Sequence, residues 1–270
     1  MAQILATVVI IILLLWVYIR WLENKTLYFP TREMEQDPDD FGLKYEDTFI
    51  TTGDGVNIHG WYFPSSEANG VILFFHGNGE NISHRIDFAE FFLSRGYEVF
   101  LLSYRGYGRS EGKPSEKGLY DDARAAYEYL LNEKSKEPND IILYGFSLGG
   151  AVAIDLASKV DVSLLIVESS FTSAVDMGKR LYPHLPVSRI MRQRYESIHK
   201  IDRINVPIMI IHSPEDEIVP FEHGEKLYEK APEPKAFLET LGNHGETLHL
   251  TDEKYLKVLM DFIKRHRQQE

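Results

Sequence analysis

Chemistry is most legible in the stretch Ile142 to Ala157, "ILYGFSLGGAVAIDLA", where Gly145-Phe146-Ser147-Leu148-Gly149 fits the pattern G-x-S-x-G. A serine hydroxyl among small and apolar neighbours, between a strand pattern and a helix pattern, has two uses. It caps the helix, or it attacks an electrophilic carbon. The second use requires a base to take its proton, an acid to orient that base, and preorganised N–H donors for the oxyanion.

Histidine is the side chain whose charge changes in the useful pH range, and the sequence holds ten. On a parallel sheet, residues at the carboxyl ends of strands converge on one crevice. His244, in "LGNHGE" after the last expected strand, meets that condition. His249 and His266 fall near or within the final helix pattern, His223 within the helix before that strand, and His59, His184 and His212 read as packing or surface residues. The acid is offered by "IIHSPEDEIVP", where Glu215, Asp216 and Glu217 directly follow a strand. Periodicity does not rank these three, and Glu168 at the end of the preceding strand is a further candidate. For the oxyanion, Leu148 supplies an N–H at the helix start. The second donor is expected at Asn78 in "FFHGNGENIS", where Gly77 and Gly79 let the backbone fold tightly. No G-K-[ST] follows those glycines, against a phosphate cradle.

The elements that must position these residues alternate along the chain. "YEDTFIT" and "VNIHGWYF" form an expected antiparallel pair across Gly53-Asp54-Gly55, and "VILFF" (71–75) is a run of the kind covered on both faces. Helices are expected at 82–95, 116–132, 148–158, 221–230 and 252–267, and strands at 97–104, 141–146, 162–168, 206–212 and 236–241. Strands separated by helices of this length need crossovers, hence a mostly parallel sheet with helices on both faces. The interruption is 171–203, where Pro183 and Pro186 break helical continuity.

The sequence of 270 residues carries 29 Lys and Arg against 41 Asp and Glu, a net charge of -12 that argues against a nucleic-acid partner. With no cysteine, thiolate metal sites and cysteine nucleophiles are excluded, and no metal or organic cofactor is expected. Residues 1–19 hold no charged side chain, and the run from Ala2 to Ile19 would span about 27 Å as a helix. With Trp16, Tyr18 and Trp21 as interface aromatics and Arg20 and Lys25 as flanking cations, 1–23 reads as a membrane anchor rather than a cleaved leader. Those cations follow the span, which puts the rest of the chain on the cytoplasmic side. Residues 24–44 read as a linker with an acidic spacer at 33–40, and 45–270 as one domain. Segment 171–203 reverses the local charge to +4, with seven Lys and Arg against three Asp and Glu.

In this order, "HGNG", "YRGYGRSEG" (104–112), "GFSLGG", "ESSFTS" (168–173), "HSPEDEIVP" and "GNHGE" resemble the α/β-hydrolase superfamily, in particular its membrane-anchored, small-lid serine hydrolases. The similarity runs from about Leu27 onward. It implies an α/β-hydrolase fold, Ser147 as nucleophile, His244 as base, and Asn78 and Leu148 as oxyanion donors. Matching to H-G-x-x-D-x-x-V-P is what selects Asp216 as the acid. Departures are Ser213 for a glycine, Ser103 where relatives often have Asp, and Gly245-Glu246 where many have Asn-Asp. The expected reaction is hydrolysis of carboxylic esters or thioesters, small or lipid-like, through an acyl-enzyme. Segment 171–203 becomes a candidate lid, with Leu181, Tyr182, Leu185, Ile190 and Met191 (and Val187) walling an acyl pocket. A serine peptidase of the same fold, or a catalytically silent binding module, is the alternative.

Overall fold

A computed structural model describes residues 1–66, 68–245 and 253–267. Eight strands form one sheet: β1 (Glu46–Thr51), β2 (Asn57–Phe63), β3 (Val71–Phe75), β4 (Glu98–Ser103), β5 (Ile141–Phe146), β6 (Leu164–Glu168), β7 (Ile208–His212) and β8 (Lys235–Glu239). Their spatial order is β8-β7-β6-β5-β3-β4-β2-β1. Pairings β1/β2 and β2/β4 are antiparallel and the rest parallel; a tight turn joins β1 to β2, whereas each strand after β3 is reached through a helical crossover.

The helices are α1 (Ala2–Leu27), α2 (Ile86–Leu93), α3 (Glu116–Asn132), α4 (Leu148–Ala157), α5 (Ala174–Leu181), α6 (Val187–Ile190), α7 (Phe221–Lys230) and α8 (Glu253–Arg267). They explain why the central strands are apolar throughout. Val71, Leu73 and Phe75 point into a core shared with Leu119 and Ala123 of α3 and Val152 of α4. Ile72 and Phe74, on the opposite face, pack with Phe88 of α2 and Leu259 of α8. Local signals set the helix starts: Ser115 accepts a bond from the Gly118 N–H (3.1 Å) to open α3, and Ser173 from the Asp176 N–H (3.0 Å) to open α5.

Helix α1 is long and apolar enough to cross a membrane, and its most apolar stretch is wholly exposed. It continues to Leu27, four residues beyond the boundary expected at residue 23. The expected linker is not a free spacer. Tyr28 is buried with its hydroxyl 2.7 Å from that of Tyr195, Phe29–Pro30 pairs in parallel with Gly79–Glu80, and the Asn81 amide donates to the carbonyls of Thr31 (3.1 Å) and Glu33 (2.6 Å). Two of these three attachments use backbone groups of the lead-in, which side-chain patterns do not reveal. Between β6 and β7, where the lid was expected, stand α5, α6 and two short helical turns.

Candidate active site

Ser147 joins the end of β5 to the start of α4 with φ 54° and ψ −117°. A non-glycine residue held at positive φ costs on the order of 1–3 kcal/mol and persists only where its surroundings over-determine it. Here the Ser147 N–H donates to the Glu168 carbonyl, and the Ser170 hydroxyl donates to the Ser147 carbonyl, both at 2.8 Å. The flanking glycines are there for space. A Cβ on Gly145 would lie 2.3 Å from the Gly149 carbonyl oxygen, and one on Gly149 1.9 Å from that of Phe75.

His244 lies in the loop after β8, its Nε2 2.9 Å from Ser147 Oγ and its Nδ1 2.8 Å from Asp216 Oδ2. Asp216 sits in the turn after β7, where its Oδ1 accepts from the N–H groups of Ile218 (3.0 Å) and Val219 (2.7 Å). Burial pushes the Asp216 carboxyl up, but bonds from His212 and His244 and the Val219 N–H outweigh it, holding the group below the usual carboxylate range. An ionised carboxylate accepts only, so Nδ1 of His244 carries the proton and Nε2 is left to accept from Ser147.

The neighbouring acids have other work. Glu217 accepts from the His244 N–H (3.0 Å) and Glu215 from the Gly242 N–H (2.8 Å), bracing the histidine loop, while Glu168 accepts from the Tyr144 hydroxyl (2.6 Å). His212, read from sequence as packing or surface, is fully buried, with Nε2 2.9 Å from the Val219 carbonyl and 3.4 Å from Asp216 Oδ2. His223 bonds Thr172 Oγ1 (2.8 Å), His59 bonds Asp47 (2.6 Å), and His249 lies outside the described residues. Of the departures, the Ser103 hydroxyl donates to the Tyr107 carbonyl and Ser213 Oγ accepts from the Glu215 N–H; Glu246 also lies outside the described residues.

Asn78 and Leu148 border the same chamber as Ser147 and His244. The Asn78 carbonyl accepts from the Phe29 N–H (2.9 Å) and the Tyr107 hydroxyl (2.8 Å), fixing the residue with its own N–H in no hydrogen bond among the described residues. Leu148 opens α4, where the N–H has no acceptor within the helix. The chamber measures about 520 Å³, and Leu181, Tyr182, Leu185, Ile190 and Met191 all line it, as does Val187.

A family model described as serine aminopeptidase, S33, matches residues 66–185. An uncharacterized protein of Mycobacterium tuberculosis is 35% identical over 245 residues, 90% of this chain and 86% of that one. The α/β-hydrolase domain-containing protein WAV2 of Arabidopsis thaliana is 33% identical, over 90% of this chain and 88% of its own. The chain belongs to the α/β-hydrolase family. An esterase structure from Pyrococcus furiosus superposes with a TM-score of 0.73 at 25% identity, over 88% of this chain and 98% of that one.

In this α/β-hydrolase, sequence reasoning missed the part of the chamber built by α1: Ile19, Leu22, Glu23, Thr26 and Leu27. The available signal was Glu23, a carboxylate three residues beyond Arg20 at the end of an apolar helix with no nearby apolar-to-polar alternation to place it on a surface.

Proposed function

We propose that the chain is a membrane-tethered serine hydrolase that cleaves carboxylic esters or thioesters of lipid-like acyl groups through an acyl-enzyme. The observation that carries this reading is Ser147 Oγ, 2.9 Å from His244 Nε2, opening on an apolar chamber of about 520 Å³. As Oγ attacks the acyl carbon, His244 Nε2 takes its proton, Asp216 stabilises the imidazolium, and the Asn78 and Leu148 N–H groups receive the oxyanion. The imidazolium returns the proton to the departing alcohol or thiol. Water, activated by the same histidine, then releases the acid and restores Ser147. Each step balances without a metal or cofactor.

The aminopeptidase description of the family model raises a peptide substrate as the rival. Glu23 is the only carboxylate lining the chamber among the described residues, and its oxygens already accept from Arg20, Arg192 and Gln193. Among the described residues no uncommitted acid awaits a terminal ammonium, which favours the ester. Retention of α1 as an anchor is supported by the same bonds, since a cleaved leader would take Glu23 and part of the chamber wall with it. Arg20 and Lys25 after the apolar run support a cytoplasmic body.

Replacing Ser147 with Ala should abolish both ester turnover and labelling by a fluorophosphonate probe, with an unchanged circular dichroism spectrum. Persistence of either would sink the assignment. Labelling with amide but no ester hydrolysis would move the reading to a peptidase, and a folded protein that never labels would be a binding module.

A further inference from the structure

Helix α1 meets the chamber with a single face. Ile19, Leu22, Glu23, Thr26 and Leu27 follow the i, i+3, i+4, i+7, i+8 spacing of one helical stripe, and all border the cavity that holds Ser147 and His244. Glu23 is the odd member of the stripe. It is only 9% exposed, and burying a carboxylate is costly unless it is bonded. Its Oε1 accepts from the N–H groups of Arg192 (2.6 Å) and Gln193 (2.8 Å), and its Oε2 from Arg20 Nη1 (2.6 Å). Arg20 in turn donates to the Ile190 carbonyl. The end of α1 is therefore fastened, by two adjacent charged side chains, to the backbone at the end of α6 and just beyond it. A tether requires only length and apolarity; it requires no such fastening, and no place in the wall of a substrate cavity.

Given the acyl-ester chemistry proposed above, we propose that α1 is itself part of the substrate site: Ile19 and Leu22 form a wall against which the acyl chain lies, and Glu23 is the positioning residue that ties this wall to the lid. The helix then selects acyl length. Three further residues of the chamber, Leu181, Tyr182 and Leu185, are 67%, 47% and 55% exposed, so the apolar lining continues outward beside α1 rather than closing over.

The test uses the full-length protein in detergent micelles with p-nitrophenyl esters from butyryl to palmitoyl. Leu22→Trp, which fills the wall, should lower the ratio of palmitoyl to butyryl kcat/KM about tenfold, the scale on which apolar pockets discriminate chain length. Leu22→Ala should raise the same ratio and serves if the tryptophan variant does not fold. Val17→Trp, on the same helix but exposed and outside the chamber, should leave it unchanged. Glu23→Gln keeps an oxygen for the Arg192 and Gln193 N–H groups and should retain the chain-length profile, whereas Glu23→Ala should flatten it. A ratio unmoved in both Leu22 variants, with turnover still dependent on Ser147, would overturn the wall and leave the hydrolase reading standing. Absence of Ser147-dependent turnover in the unmodified chain would overturn both.

Discussion

Asp216 shares its turn with two other acids, and each carboxylate has a different partner. Asp216→Asn removes the group that fixes the His244 tautomer and should lower kcat by roughly 10⁴-fold with the fold intact. Glu215→Gln and Glu217→Gln keep an oxygen for the Gly242 and His244 N–H groups, and a loss below about tenfold is expected in the same ester assay. Sequence periodicity left these three unranked, and only the resemblance chose among them. What separates them physically is the turn at Ile218 and Val219, whose N–H groups aim one carboxylate at the imidazole. His76 yields a second prediction. Burial pushes its imidazole down to about 3, with Nδ1 bonded to the Gly77 carbonyl and Nε2 without a partner among the described residues. An unfolded histidine titrates near ~6.5, so the unfolded chain binds the extra proton. Stability is therefore full above that pH and declines as pH falls toward 3, by about 1.4 kcal/mol per unit from this group. Thermal unfolding at pH 6.5 and pH 5 should differ by about 2 kcal/mol from His76, a share absent in His76→Gln.

At the level of elements, the turn that presents Ser147 depends on backbone contact between α4 and the end of β3. Gly149→Ala would press a methyl into the Phe75 carbonyl and should destabilise by about 3 kcal/mol, read as a lowered melting temperature. Gly53→Ala, in the turn between β1 and β2, meets nothing within 4 Å among the described residues and should be neutral to within ~0.5 kcal/mol. The alternation of apolar strands and amphipathic helices was readable because each pattern reports burial of side chains. Ends were less so: the strand expected at 236–241 is Lys235–Glu239, because Leu241 is apolar yet 53% exposed. The attachment of residues 29–33 to the body was not readable, because on the side of this segment it rests on backbone groups rather than on side chains. Helix α1 read as an anchor and not as part of the chamber because apolar side chains suit a bilayer as well as a cavity lining.

Across the whole molecule, charge is unevenly placed. Within 171–203, Lys179 pairs with Asp176, Arg194 with Glu196 and Lys200 with Asp155, while Arg180, Arg189, Arg192 and Arg203 have no ion pair among the described residues. Cations beside an apolar rim favour anionic headgroups by about 1 kcal/mol each near a membrane surface. Hydrolysis of vesicle-embedded ester should therefore rise with anionic lipid content and fall with salt, and Arg180→Glu with Arg189→Glu should blunt both trends. The fastening of α1 to the body has one more effect. If α1 anchors the chain as proposed, a cavity walled by that helix cannot swing away from its own leaflet to sample the solution, and it meets substrate by lateral diffusion in two dimensions. The concentration that governs turnover is then mole fraction in the bilayer, not moles per litre. Diluting the ester with inert lipid should slow the enzyme in proportion, while adding more vesicles of the same composition should leave the rate per enzyme unchanged.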